Sequence, residues 1–309
     1  MQLRTLLCVA AAAVGCGDDD GAGDHDAAPR IDAARIVDAA ASLPDAPAGA
    51  DAASPDAALP TAPVPVAYWS MDQSDVAAGV LADLIGDVDG AVNGPVQDAS
   101  GQVADALTFD GVDDTIDFGD SLDGVFAGAD NAFTVGMWLK PGAPDSARVI
   151  FGKSSDTACN PDEDGRQWSL MVAADNTLRF VYQTVLPNNG KSVTSTTALD
   201  TPATWYHVAV SYDGAIDTAP EDRVAIYVDG ADDSGSSTSV GTFPFDLVDV
   251  AARLAAGVRM DSAGAACTES GATFYEGAID ELAIWDRVLT PAEIASVHDR
   301  GLAGARLVP

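Results

Sequence analysis

Basic residues are scarce in this chain of 309 residues. It carries 15 Lys and Arg against 48 Asp and Glu, which gives a formal net charge of −33. Nucleic-acid binding needs clustered Lys and Arg to neutralise phosphates, so this composition argues against it. The same shortage disfavours docking on anionic lipid through a basic patch. A solubilising role is the ordinary explanation for any one of the acidic residues. Carboxylate oxygens are also the ligands that Ca²⁺ prefers, so some of the aspartates are candidates for calcium binding.

Long apolar runs are also lacking, and the one run near the start is too short to span a bilayer. Leu6–Val14 follows Arg4 and ends just before Cys16, as in an export signal. Small residues before a Cys resemble a bacterial lipobox, although Ala13 replaces the usual Leu. We therefore expect a lipoprotein signal peptide at 1–15 and a lipid on Cys16. The alternative is an ordinary secretory signal cut nearby.

The expected destination is the bacterial cell envelope, with the outer membrane or cell surface favoured over the inner membrane. The lipid would be the protein's only contact with the membrane. Residues 16–63 are rich in Ala, Asp and Pro and contain no aromatic residue. Such a segment cannot bury enough apolar surface to offset the entropy cost of ordering. We expect a disordered tether there and a folded domain at 64–309.

Cysteine and histidine are few, with four and three residues respectively. Cys8 lies in the signal, which leaves Cys159 and Cys267 as an even pair in an exported protein. A disulfide between them is the default expectation. A metal or catalytic Cys pair is disfavoured because the sequence places no His or further Cys near them.

The folded region alternates apolar and polar residues over many short segments. Phe133–Leu139, Tyr206–Tyr212 and Val224–Val228 show this period of two, and turn residues recur about every ten residues. The pattern predicts antiparallel strands with one packed and one wet face, arranged as a two-sheet β-sandwich. Three tryptophans are expected to pack in the core rather than bind ligands: Trp69, Trp138 and Trp285.

One short helix is predicted at 291–299. Thr290 is a natural N-cap, Pro291 suits the first helical position, and Glu293 completes a capping box. Gly301 is expected to close the helix in a left-handed conformation.

Several segments, in order, resemble a known family. They are VAYWSMD (66–72), ALTFDGVDDTIDF (106–118), FTVGMWLKP (133–141), TWYHVAVSYDG (204–214), VAIYVDG (224–230) and FYEGAIDELAIWDRVLTPAEIASVHDRG (274–301). Together they are similar to laminin G-like domains with the concanavalin A-like jelly-roll fold. The resemblance implies an all-β, two-sheet antiparallel jelly-roll sandwich with one C-terminal helix. It specifies the fold well and the ligand hardly at all.

Enzyme signatures of this fold are missing. Laminarinase-like glucanases carry E-x-D-x-E on one strand, which places both Glu on one face. That motif does not occur here, and no Ser, Cys or His lies in a recognisable catalytic setting. We therefore expect a non-catalytic module that binds a glycan or an envelope or extracellular protein. The alternatives are a structural or adhesive domain without a small ligand and, as a remote third, a glycoside hydrolase.

A structural Ca²⁺ is implied by the resemblance. In related jelly-rolls it is held near the first and last strands, where Asp72, the Gly111 carbonyl and Asp280 stand in this sequence. Strand alternation places Asp280 opposite Glu281, and a buried Glu281 would need a hydrogen-bond partner. The alternative is that these acids only cap turns.

A ligand site is expected at one edge, where the irregular segments 153–167, 186–203 and 261–273 meet. Arg166, Trp168, Tyr182 and Arg259 lie beside these segments. Aromatic faces stack on sugars and Arg bonds hydroxyls, so a glycan could bind there. For each residue alone, an ordinary role in the loops is the competing interpretation.

Overall fold

The strands predicted from alternation form two packed sheets in a computed structural model. It describes residues 60–98, 100–142, 146–154, 166–184, 189–201, 203–268 and 272–308, all within the compact unit 56–309. The strands are β1 Ala67–Trp69, β2 Val76–Ala77, β3 Val80–Leu81, β4 Gly90–Asn93, β5 Val96–Asp98, β6 Ala106–Asp110, β7 Thr115–Asp117, β8 Ala132–Pro141, β9 Ala147–Ser154, β10 Arg166–Val172, β11 Thr177–Thr184, β12 Asn189–Ala198, β13 Tyr206–Asp213, β14 Val224–Val228, β15 Ala231–Asp232, β16 Ser234–Val240, β17 Arg253–Ala256, β18 Ala272–Thr273 and β19 Glu276–Trp285. The α-helices are α1 Asp123–Phe126 and α2 Pro291–Leu302, and single 3₁₀ turns cover Gln73–Asp75 and Pro220–Arg223.

Sheet 1 has the strand order β15-β14-β13-β8-β19-β6-β5, with β1 paired to β19. Sheet 2 has the order β16-β12-β11-β10-β9-β17-β7-β4-β3-β2. The short β18 pairs with β9 in parallel, and the other described pairs are antiparallel. The structure thus confirms the two-sheet antiparallel sandwich that the alternation predicted.

The core lies between the inner faces of the two sheets and is rich in aromatic side chains. Phe133 of β8 stacks on Tyr212 of β13 with ring centroids 5.2 Å apart, as their cross-strand register requires. Trp168 and Phe180 of sheet 2 meet them from the other side. Large apolar rings of this kind dominate the stabilisation of a sandwich.

Helix α2 begins as predicted and ends three residues later. The Thr290 side chain accepts a hydrogen bond from the Glu293 N–H, and the Glu293 carboxylate accepts one from the Thr290 N–H. The prediction for Gly301 was wrong, because Gly301 lies inside the helix and Gly304 takes the left-handed conformation. Gly301 is needed for close packing, since a Cβ there would lie 2.2 Å from Trp138 Nε1.

Candidate functional site

The outer face of sheet 1 is divided into a covered half and an open half. Helix α2 packs over one half through Ile294 and Val297, which form a cluster with Tyr68 and Trp285. The other half, where β6, β8 and β19 continue beyond the helix, carries an open depression with a volume of about 420 Å³. We name this depression the Lys140 groove. It is lined by Asp98, Thr108, Phe109, Asp110, Lys140, Pro141, Gly142, Ala203, Glu276, Gly277 and Ala278.

Strand register brings the polar residues of the groove together. Leu107 and Phe109 belong to the core, so Thr108 between them points outward. Ala278 pairs with both Thr108 and Lys140, and Asp110 pairs with Glu276. The groove therefore lies on three adjacent strands, which hold its side chains in a rigid arrangement.

Lys140 is held in place from two sides. Its ammonium forms an ion pair with Asp98 at 2.7 Å and lies 4.9 Å from the centroid of the Trp205 ring. Trp205 in turn donates a hydrogen bond to the Ser100 carbonyl at 3.2 Å. The hydrogen bond from Lys140 holds the pKa of Asp98 below its usual value. Asp98 is therefore an acceptor at neutral pH.

Glu276 can bond a ligand directly, and Thr108 can do so once its side chain rotates toward the groove. The Thr108 hydroxyl is buried and has no hydrogen-bond partner among the described residues. Glu276 pairs with Arg148 at 3.1 Å, yet its side chain remains 40% exposed. Hydroxyl, carboxylate and ammonium groups around a shallow apolar floor are the features by which proteins hold polyhydroxylated ligands.

The covered half contains a buried acidic pair on β19. A register shift lies between Asp280 and Ala283, and Glu281 has a φ of 54°. This bulge adds a residue to the strand, so the strict alternation predicted for Asp280 and Glu281 was wrong there. The predicted partner for Glu281 is present, because its carboxylate accepts hydrogen bonds from the Tyr68 hydroxyl at 2.7 Å and the Leu307 N–H at 3.2 Å.

Burial dominates the protonation of this acidic pair. It raises the pKa of Asp280 to about 9 and that of Glu281 to about 7, because a desolvated carboxylate is costly. His207 lies on the same face, and burial lowers its pKa to about 3. The cavity beside His207 and Glu281 measures about 10 Å³, roughly the space of one water molecule. This cavity is therefore too small for a ligand of sugar size.

The three residues proposed for calcium are not brought to one point. Asp72 lies close enough to Asp280 to raise its pKa, but Asp72 is bound by the guanidinium of Arg306. Gly111 follows Asp110, which pairs with Glu276. Asp280 lies four residues beyond Glu276 on β19, a distance of roughly 13 Å along the strand. That distance separates Asp280 from Gly111.

Gly111 lies instead in the turn between β6 and β7, among three aspartates. One carboxylate oxygen from each of Asp110, Asp113 and Asp114 lies within 4.8 Å of the others. Asp110 accepts a hydrogen bond from the Val112 N–H at 2.8 Å, and Asp114 accepts one from the Asp110 N–H at 2.7 Å. Hydrogen bonds within the turn account for these contacts of Asp110 and Asp114.

The structure does not place Trp168 and Tyr182 at a surface ligand site. Both side chains are fully buried, and they pair directly across β10 and β11, so they share the inner face of sheet 2. Arg259 is also buried, at 5% exposure. For Arg166 the structure describes only the backbone, as the first residue of β10. A position beside a loop suggests the surface, but the strand register directs the side chains of Trp168 and Tyr182 into the core.

Other predicted residues lie outside the described part of the chain. They include Cys16, Cys159, the signal 1–15 and most of the tether 16–63. The last tether residues are described, and the Pro63 carbonyl accepts a hydrogen bond from Trp285 at 3.0 Å. Cys267 is buried, and its pairing with Cys159 stays a prediction. Within the described segments, no helix has the length and apolar character needed to cross a membrane.

Sequence reasoning did not find the Lys140 groove. Thr108 and Lys140 are polar residues at outward positions of strands, which is the ordinary pattern for a wet sheet face. A usable signal lay in the lengths of the elements. Helix α2 has 12 residues, about 18 Å, and cannot cover the whole length of the ten-residue strands β8 and β19, about 33 Å each.

Comparison with known proteins identifies the family. The family model described as the concanavalin A-like lectin/glucanases superfamily, a laminin G model, matches residues 110–295. The chain therefore belongs to this superfamily. A search of curated protein sequences found no significant match.

Two solved structures illustrate the shared fold. The sialidase of Trypanosoma rangeli in complex with sialic acid matches with a TM-score of 0.53 and 16% identity, covering 81% of this chain and 37% of the sialidase. The binding domain of botulinum neurotoxin serotype G matches with a TM-score of 0.51 and 13% identity, covering 76% of this chain and 50% of that domain. This chain thus spans half or less of the length of either structure, and the likeness concerns the fold alone.

Proposed function

We propose that this protein is a non-catalytic carbohydrate-binding module displayed on the bacterial cell envelope by a lipid anchor. The Lys140 groove is the observation that carries the proposal. Its volume of about 420 Å³ falls in the range of small-molecule sites. It lies on three adjacent strands, and the charged side chains of Asp98, Asp110, Lys140 and Glu276 line it. Membership of a superfamily that includes lectins supports a glycan as the ligand.

The protonation states of the acids favour binding over hydrolysis. A glycoside hydrolase needs one carboxylic acid with a raised pKa beside the scissile bond. The acids whose pKa values are raised most, Asp280 and Glu281 of β19, are buried in the covered half. Burial also raises the pKa of Asp114, which lies in the turn beside the groove and is not among its lining residues. In the groove, Lys140 lowers the pKa of Asp98. Release of reducing sugar from a panel of polysaccharides would overturn the non-catalytic assignment.

Thr108→Val tests the groove with two independent readouts. The change keeps the shape of the side chain and removes a hydroxyl that has no partner in the described structure. We expect the free energy of unfolding to stay equal or rise slightly, while affinity for a glycan found by array screening falls about two- to tenfold, since one hydrogen bond contributes about 0.5–1.5 kcal/mol. Titration calorimetry and thermal melting measure the two effects.

Thr218→Val is the matched control, because Thr218 is exposed on a loop outside the groove. Thr218→Val should change neither the free energy of unfolding nor the affinity for the glycan. Unchanged glycan affinity in Thr108→Val, with glycan binding present in the wild type, would show that the ligand binds elsewhere.

An adhesive domain without a small ligand is the second candidate. The observation that favours it is β16, Ser234–Val240, an edge strand of sheet 2 whose seven residues are all exposed and uncharged. Proteins usually block such edges with charge or Pro, so an open edge is suited to pairing with another chain. A glycan array without any bound sugar would favour this candidate over the first.

The lipid anchor is tested by Cys16→Ser. Lipoprotein signals end at a cysteine that receives the lipid, and one acyl chain alone gives only marginal membrane binding, whereas several hold a protein firmly. We expect the variant to be lost from the membrane fraction or to remain unprocessed. Labelled fatty acid should enter the wild type and not the variant. Absence of label from the wild type would contradict the anchor.

Calcium binding is a separate proposal, and two variants locate it. A cation that binds only the folded state must raise the melting temperature. We expect higher melting in calcium than in chelator. Loss of that difference in Asp280→Asn would place the ion beside β19, and loss in Asp113→Asn would place it in the turn around Gly111. Equal melting of the wild type in calcium and chelator would leave these acids as turn caps and buried groups.

A further inference from the structure

The charges of the Lys140 groove limit the kind of sugar that it can hold. Three carboxylates line it, from Asp98, Asp110 and Glu276, against the single ammonium of Lys140. The neighbouring turn adds Asp113 and Asp114, and the whole chain has a net charge of −33. A groove lined in this way repels anions and concentrates cations.

Lys140 is not available to recognise an acidic sugar. Its ammonium is already paired with Asp98 at 2.7 Å and faces the Trp205 ring. A ligand carboxylate would have to displace Asp98, whose own charge the same lysine stabilises. The guanidinium of Arg148 forms an ion pair with the Glu276 carboxylate at 3.1 Å. Lys140 and Arg148 are therefore both already paired with carboxylates of the protein itself.

Asp110 is the acid best placed to meet a cation. It is exposed at the end of β6, and its Oδ1 accepts hydrogen bonds from the Val112 and Asp113 N–H groups. Those bonds fix the position of the carboxylate at the edge of the groove, which Asp110 lines. A protonated amine on a sugar ring would find there a fixed, charged acceptor.

We propose that the Lys140 groove prefers glycans that carry amino groups, accepts neutral glycans more weakly and rejects acidic glycans. This inference rests on the proposed glycan-binding function and specifies its ligand class. The recognising chemistry is a protonated sugar amine at the carboxylates of Asp110 and Glu276, with hydroxyls bonded by Thr108 and Asp98.

The test compares three oligosaccharides of equal length with the full chain by titration calorimetry, below the pKa of the sugar amine. They are oligomers of glucosamine, glucose and galacturonic acid. We expect the glucosamine oligomer to bind at least about threefold more tightly than the glucose oligomer, and the galacturonate oligomer to bind most weakly. Asp110→Asn should weaken glucosamine binding about two- to fivefold, as loss of one exposed ion pair does, and should weaken glucose binding less than that.

A negatively charged protein attracts any cationic oligomer, so a matched charge control is required. Asp130 is exposed just before β8, which begins at Ala132, roughly 26 Å along the strand from Lys140. Asp130→Asn removes the same charge and should leave both affinities unchanged. Equal weakening by the two variants would show that overall charge causes the preference, and would overturn the inference.

Two other outcomes are decisive in different ways. Equal or tighter binding of the glucose or galacturonate oligomer would overturn the ligand class and leave the carbohydrate-binding function standing. Failure of the full chain to bind any glycan, on these oligomers and on an array, would overturn the function and this inference together.

Discussion

Trp168→Ala should lower the free energy of unfolding by about 3–5 kcal/mol, the usual cost of truncating a buried aromatic residue. Trp168 is fully buried. Its ring lies 5.0 Å from Phe126, 5.5 Å from Phe151 and 5.9 Å from Phe180, measured between centroids. The substitution removes contacts from both sheets, which cannot close the resulting cavity without moving strands. Denaturant titration measures the effect.

The control for this truncation is Trp205→Ala. Trp205 is only partly buried, beside the groove, so we expect a much smaller loss of stability. A ligand-binding role for Trp168 would give the opposite pattern, with weakened glycan binding at unchanged stability. That result would contradict the placement of Trp168 in the core.

The protein should lose stability as pH rises from about 5 to 8, because of the acidic pair on β19. In the folded state the pKa is about 9 for Asp280 and about 7 for Glu281, both raised by burial; the unfolded values are roughly 4. The folded state therefore holds protons that the unfolded state releases. Below the unfolded pKa, each carboxyl is protonated in both states and does not lower the free energy of unfolding. As pH rises from the unfolded pKa toward the folded pKa, each carboxyl lowers the free energy of unfolding by up to about 1.4 kcal/mol per pH unit.

Asp280→Asn isolates the contribution of one acid to this pH dependence. The amide can still accept the hydrogen bond that the Val103 N–H donates to Asp280 at 2.8 Å, and it carries no charge to bury. We expect the melting temperature of the variant to fall less steeply with pH than that of the wild type. General repulsion among the many acids also weakens folding at high pH, so Asp130→Asn serves as the charge-matched reference. Equal slopes of melting temperature against pH in the two variants would show that the buried Asp280 carboxyl contributes no more to the pH dependence than an exposed carboxylate does.

Local patterns in the sequence predicted most of the fold. The period of two in Phe133–Leu139 and Tyr206–Tyr212 placed β8 and β13 correctly, because alternation of burial is a property of each strand by itself. The capping box of α2 depends only on Thr290, Glu293 and the backbone between them. The family resemblance rested on the same local segments, and the family model confirms it over 110–295.

The candidate site was predicted poorly because it depends on contacts between distant segments. Trp168 and Tyr182 were assigned to a ligand site from their positions beside loops, but the facing sheet buries them. The bulge at Glu281 is stabilised by Tyr68 and Leu307, residues far from it in the chain. No short window of sequence contains those partners.

The sequence by itself determined the β-sandwich class, the capping box of α2, the strongly acidic character of the chain, and the candidate positions for export and lipidation. These features follow from composition, from periodicity or from residues close together in the chain. Tertiary structure decided which half of the sheet 1 face is covered by α2 and which half stays open, and so where Lys140, Thr108 and Asp98 form a groove. The physical reason is that a site on a sheet face is built by strand register and by the cover of other elements, and both are set by long-range packing rather than by local preference.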